Sequence, residues 1–271
     1  MNLQGKRQMD RGPVKYRVVG LLSSVFCLLS ISAISFALNS QLTDWAAYQK
    51  SGHTSPKWDP FVEAGFGALD GGNLDTGVNF LERAKGAGCK DGLVLYRLAM
   101  VKELRGDVKE AAKMLKTAEP LLRNRYPKYP ATVNLSEHLG RLYYQMGKYD
   151  EALPEYLLAI RHQGENFFRL YLVGQMYRMK GKTKEAIAYF EKSFQFEAPP
   201  IEFGPLKRLA RLELMQLYFN VKDEEKALEM ANQILAEDPQ NPAAISIRDQ
   251  ISQRKYKEKE RNILKRIIEK Q

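Results

Sequence analysis

The sequence predicts an all-α fold: an α-solenoid of helix-turn-helix repeats behind an N-terminal transmembrane helix. Three observations predict it. Gly65, Ala99, Gly140 and Gly174 open one pattern, and Gly77, Ala111, Ala152 and Ala186 answer it twelve residues later. The steps 65→99 and 140→174 are both 34 residues, a period at which each helix pair needs its neighbours to bury its apolar face. Inside the copies, apolar residues recur at spacings of three and four, as on one buried helix face. Ahead of them runs a long stretch without charge.

That stretch, Val18–Leu38, holds VVGLLSSVFCLLSISAISFAL. As a helix rising about 1.5 Å per residue it spans roughly 30 Å, the thickness of a bilayer core. The basic segment 1–17 precedes it, with Lys6, Arg7, Arg11, Lys15 and Arg17 against Asp10. Few charges follow it, so the expected orientation keeps the N-terminus in the cytoplasm and places residues 39–271 outside. Trp45 and Tyr48 suit the outer interface. A cleaved secretory signal is the competing reading, because Ala33, Ser35 and Ala37 fit a peptidase site. Phe26 before Cys27 disfavours a lipoprotein signal. Both surviving readings export the body, and the expected setting is a bacterial inner membrane, single-pass, with the repeats in the periplasm.

The net charge of +10 suggests nucleic acid until it is located. Residues 1–17 carry +4, and residues 254–271 carry eight Lys/Arg against Glu258, Glu260 and Glu269, or +5. The body keeps 10−4−5, or +1, too little for a phosphate-binding face, so no nucleic acid is expected as partner. Cys27 and Cys89 stand alone, with no thiol or histidine cluster for a metal. His53, His138 and His162 show no ligand spacing, and no phosphate-binding glycine loop is present. No cofactor, metal or catalytic residue is expected.

The expected organisation is a basic cytoplasmic N-terminus (1–17), the anchor or signal (18–38), a linker (39–58), four to five repeats (59–242), and a C-terminal capping helix with a basic tail (243–271). Two repeat intervals, 111→152 and 186→227, are 41 residues. Their extra residues fall in the proline-bearing stretches 123–134 and 197–207, read as loops or as edges that meet a partner. In the tail, Ile263, Leu264, Ile267 and Ile268 form a short apolar stripe among Lys and Arg. It reads as a solvated extension or as a contact for an anionic lipid surface or an acidic partner.

The segment 137–161, EHLGRLYYQMGKYDEALPEYLLAIR, resembles the tetratricopeptide repeat family, with Gly140, Tyr143, Gly147, Ala152 and Tyr156 in register. Segments 171–193, 95–118 and 61–84 repeat the pattern. The copy at 211–239 keeps Tyr218, Ala227 and Pro239 but has Met215 for the small residue and no turn glycine. The first copy departs by placing Gly77 where the family prefers alanine.

The resemblance implies a groove lined by the first helix of each repeat, where partner peptides dock. Projected here, it points to Tyr96 and Met100, then Glu137, Arg141 and Tyr144, then Tyr171, Gln175 and Arg178. The Lys/Asn/Arg set that grips chaperone carboxylates is absent, since those positions hold Tyr96, Glu137, Tyr171, Met100, Arg141 and Gln175. The expected function is a non-catalytic scaffold, anchored in the membrane, that presents the groove to a protein or peptide of an envelope complex. An exported soluble adaptor and an accessory enzyme of envelope polymer metabolism are the alternatives.

Overall fold

The computed structural model describes residues 44–197 and 204–269, and its regular elements there are all helices. The expected membrane segment Val18–Leu38 lies outside the described residues, as does most of the second proline-bearing insertion. Among the described residues no helix is long and apolar enough to cross a membrane. The chain divides into two compact units, one ending at Leu135 and the other beginning at Ser136.

The first unit contains α1 (Asp44–Lys50), the pair α2 (Asp59–Asp70) and α3 (Leu74–Gly86), the pair α4 (Gly92–Leu104) and α5 (Val108–Arg125), and the short α6 (Pro130–Val133). The second contains α7 (Leu135–Gln145) with α8 (Tyr149–Gln163), α9 (Phe167–Met179) with α10 (Thr183–Ser193), α11 (Gly204–Asn220) with α12 (Glu224–Glu237), and a long closing helix, α13 (Pro242–Ile268).

The small residues sit where paired helices meet. A methyl group on Gly140 would lie 2.8 Å from the Tyr156 ring, and one on Gly174 would lie 2.9 Å from the Phe190 ring. In the first pair both sides are glycine. A methyl on Gly77 would approach the Gly65 carbonyl to 3.1 Å, so Gly77 serves a close backbone approach and α3 still forms.

Helix starts and stops are locally encoded. Asn73, Asp91, Asp107, Asn166, Asp223 and Asn241 each accept a backbone N–H of the helix they open, satisfying one of its unpaired donors. The turns within pairs pass through a left-handed residue: Gly72, Gly106, Gly147 and Gly181, with φ from 71° to 79°. In the fifth copy the same turn position holds Lys222 at φ 64°, a conformation that costs a residue with a Cβ about 1–2 kcal/mol.

Two expectations need correction. The linker 39–58 contains α1, whose Tyr48 is fully buried; the sequence hides it because a seven-residue helix shows no periodicity. The insertion at 123–134 is neither an open loop nor a free edge. Helix α5 continues through Pro120 to Arg125 and α6 follows a tight turn. Tyr126 is 5% exposed and donates to Asp91 at 2.8 Å, so this stretch braces its own unit.

Candidate functional site

At about 100° per residue, Asp59, Phe66 and Asp70 share a side of α2 roughly a third of a turn round from Gly65, which faces α3. In the first unit α1 covers this side at Phe66 and leaves Asp70, one turn on, exposed. Phe66 is fully buried, and the Tyr48 ring meets it edge-on at 6.4 Å. The Tyr48 hydroxyl donates to an Asp59 carboxylate oxygen at 2.8 Å and accepts the Trp58 indole N–H at 2.9 Å.

One helix turn before Tyr48, Asp44 is 4% exposed and accepts from the Arg97 guanidinium and the Tyr129 hydroxyl. Arg97, on α4, also donates to Asp70 at 2.6 Å. Burial works against the Arg97 charge, but the Asp44 and Asp70 carboxylates more than offset it. A terminal cap would touch only the first helix pair. Here α1 reaches both α2 and α4, so it lies across the first helices of two successive repeats.

Tyr96 and Met100, the two residues the sequence projects onto a groove in this unit, are 5% and 2% exposed. They are packed residues of the first unit.

The second unit is arranged differently. Its first helices are joined by polar bridges: Glu137 on α7 pairs with Arg169 on α9 at 2.8 Å, and Arg178 on α9 pairs with Glu213 on α11 at 3.1 Å. Gln175 donates to the Tyr171 hydroxyl at 3.0 Å and to Glu213 at 3.3 Å, and it accepts from Arg178 at 3.0 Å. Tyr171 and Gln175 are fully buried and Arg141 is 5% exposed, so these three hold the helices in register.

Glu137, Tyr144 and Arg178 are half-buried, with Gln145, Met179, Gln216 and Asn220 exposed at the helix ends beyond them. Met179 is 44% exposed, a large apolar side chain beside the Arg178–Glu213 pair. Tyr144 stands edge-on to Tyr149 at 5.5 Å and feels the charges of Arg178 and Glu213. Burial pushes the Tyr144 and Tyr171 phenols up, so both remain protonated at neutral pH. This strip thus presents a half-buried aromatic, an exposed thioether and a paired cation and anion side by side.

Arg97, Arg169 and Glu213 were missed by sequence reasoning. The projection used the positions three before, one after and four after the small residue. The position two before it holds Glu63, Arg97, His138, Leu172 and Glu213, titratable in four of five copies. That recurrence was the available signal for Arg97 and Glu213; Arg169, five before Gly174, lies outside it.

The remaining candidates for chemistry are structural. Cys89 lies in a loop, is 2% exposed, and burial pushes its thiol up to about 11. His138 is pushed down to about 3, by burial first and then by the Arg141 charge. Among the described residues no group of three or more His, Cys, Asp or Glu is placed to hold a metal.

Two family models described as tetratricopeptide repeat match residues 92–163 and 137–200. No curated protein matches the chain. Solved structures share the fold. YrrB, a tetratricopeptide-repeat protein with an unusual peptide-binding site, is 19% identical with a TM-score of 0.54, covering 78% of this chain and 98% of its own. MamA from Desulfovibrio magneticus RS-1 is 16% identical with a TM-score of 0.51, covering 69% of this chain and 98% of its own. PilF of Pseudomonas aeruginosa is 12% identical with a TM-score of 0.51, covering 85% of this chain and 98% of its own. Tetratricopeptide-repeat models thus match the stretch 92–200, and the solved structures share the all-α helical-repeat fold.

Proposed function

We propose that this chain is a non-catalytic adaptor that holds a protein or peptide partner on the first-helix face of its second unit. One observation carries the reading: the chain's own α1 packs on Phe66 and Arg97 of the first unit, although Asp70 and Leu104 stay exposed there, whereas the first helices of the second unit leave Tyr144 and Arg178 half-buried and Met179 exposed with no such helix against them among the described residues. Of the eight residues projected from sequence, Glu137, Tyr144 and Arg178 make direct contact in this reading. Arg141, Tyr171 and Gln175 set the spacing of α7, α9 and α11, and Tyr96 and Met100 belong to the first unit's packing. The peptide-binding site of YrrB favours a peptide partner by analogy of fold.

In the same reading Val18–Leu38 anchors the chain in a bacterial inner membrane, with the repeats outside the cytoplasm and the partner part of an envelope complex. The uncharged run and the basic residues before it support that placement. The stretch between Leu38 and Asp44 then places α1 within about 20 Å of the membrane surface.

Photo-crosslinking in native membranes tests the adaptor reading. A benzophenone side chain at Tyr144 or Met179 gives a discrete adduct, and one at Lys184 or Glu185 on α10 does not. Adducts formed only from α10 would overturn the assignment. Protease protection of intact cells tests the placement separately.

A further inference from the structure

Helix α13 changes character halfway along. Ala244, Ile247 and Ile251 are buried and seat its first half, whereas every described residue from Ser252 to Glu269 is exposed. Within that exposed half, Tyr256 is 70% exposed, Ile263 50%, Leu264 54%, Ile267 52% and Ile268 72%. Water does not favour a row of large apolar side chains at such exposure, and their placement on the helix shows what covers them.

At about 100° per residue, Tyr256, Ile263, Leu264, Ile267 and Ile268 fall within one sector roughly 140° wide. That sector lies nearly opposite the face that Ala244, Ile247 and Ile251 present to their unit. It is therefore not a continuation of the packing seam, and another repeat helix stacked on that seam would leave it bare. Arg261 and Lys265 lie beyond one edge of the sector, and Lys259, Arg266 and Lys255 lie beyond the other. Glu258 and Glu269 sit at the far pole. Gln253, Lys257 and Glu260 fall inside the sector, Lys257 near its Ile268 edge and Glu260 between Tyr256 and Leu264. Arg254 is engaged at home, 4.6 Å over the Phe219 ring and 3.4 Å from Glu224.

An apolar sector with cations along both borders and carboxylates opposite matches a plane in which hydrocarbon lies below, anionic headgroups to either side, and water above. A second copy of the helix fits less well. The apolar residues run over 13 residues, about two heptads where a coiled coil needs three or four, and the flanking charges on two copies repel. We propose that residues 252–269 form an interfacial helix that lies on a membrane surface carrying anionic lipid. The contact is separate from the groove of the second unit and does not depend on what that groove holds.

Hydrogen exchange of the full chain on vesicles tests this. In the reading proposed above Val18–Leu38 holds the chain to any bilayer, so the comparison is between lipid compositions: phosphatidylcholine alone, and phosphatidylcholine with about a quarter phosphatidylglycerol. An isolated solvated helix end exchanges quickly, so amides of residues 255–268 should slow about tenfold on the anionic vesicles alone. Most of that slowing should vanish at about 0.5 M salt.

All the residues to be changed are exposed, so the variants keep the fold. Both the Ile263→Ser/Ile267→Ser variant and the Lys257→Glu/Arg261→Glu/Lys265→Glu variant should lose the protection, and Glu260→Gln should increase it. Equal protection on neutral vesicles, protection that survives charge reversal, or no slowing on anionic vesicles would each overturn the proposal. The last result would leave an acidic protein surface as the occupant.

Discussion

The two units use the same helix-pair repeat and differ in what covers the side of the first helices. In the first unit the chain covers part of that side itself: α1 packs on Phe66 of α2 and pairs through Asp44 with Arg97 of α4, which is 2% exposed between two carboxylates, while Asp70 and Leu104 stay exposed. In the second, Arg178 makes a comparable pair with Glu213, yet its side chain remains 29% exposed beside an uncovered Met179. The same chemical pair is a buried clamp in one place and an accessible rim in the other. A repeat pattern fixes where helices go; the residues around it decide which faces stay open.

The contrast has energetic consequences. Arg97→Met leaves the Asp44 carboxylate buried without its cation and should cost about 3–5 kcal/mol. Arg178→Met removes a partly solvated pair and should cost under about 1 kcal/mol. Both tryptophans, Trp45 and Trp58, belong to the first unit, so urea titration followed by indole fluorescence reads the Arg97→Met cost, and the remaining ellipticity loss, from the second unit, reads the Arg178→Met cost. Equal costs for the two substitutions would erase the distinction.

Helix-pair contacts should be costly to crowd in both units. Gly174→Ala forces a methyl against the stiff Phe190 ring and should cost about 1–3 kcal/mol by loss of ellipticity on heating. Gly65→Ala meets the fully buried Leu81 at its Cγ, 2.7 Å away, and the Gly77 carbonyl at 3.3 Å, so it should cost at least as much.

The second unit should also be the acid-sensitive one through His138. The unfolded chain takes up this proton near the ordinary value of 6.5, whereas the folded unit resists it until about 3. Between those values the unfolded state binds more protons, so the stabilisation is fully present above pH 6.5 and is lost as pH falls toward 3. The slope approaches about 1.4 kcal/mol per pH unit, and His138→Gln should flatten it. Ellipticity should therefore fall in acid before the indole signal changes.

The smallest effect is a gain. Lys222→Gly relieves a left-handed lysine and should stabilise the α11–α12 pair by about 1 kcal/mol.

Much of the helix-pair framework was legible in the sequence because close helix contacts demand small residues at fixed spacing, and glycine marks the tight turns. Gly140 opposite Tyr156 and Gly174 opposite Phe190 are read directly from that demand. Helix α1 was illegible for the opposite reason. It is held by Asp44 and Tyr48 reaching residues far along the chain, and no local pattern records such contacts. The candidate site was half legible. Sequence register found Tyr144 and Arg178 but not Glu213, because the projection followed positions three before, one after and four after the small residue and passed over the one two before. Burial of Tyr171 and Gln175 depends on how α7, α9 and α11 pack, which composition does not encode.

The central claim, that the first unit's face is covered at Phe66 and the second unit's is open, is tested most directly by thiol labelling of single-cysteine variants in a Cys27→Ser, Cys89→Ala background. Met179→Cys should react with a maleimide at nearly the rate of the unfolded chain. Phe66→Cys, beneath α1, should react at least about a hundredfold more slowly, waiting on local opening. Comparable rates at the two positions would contradict the account.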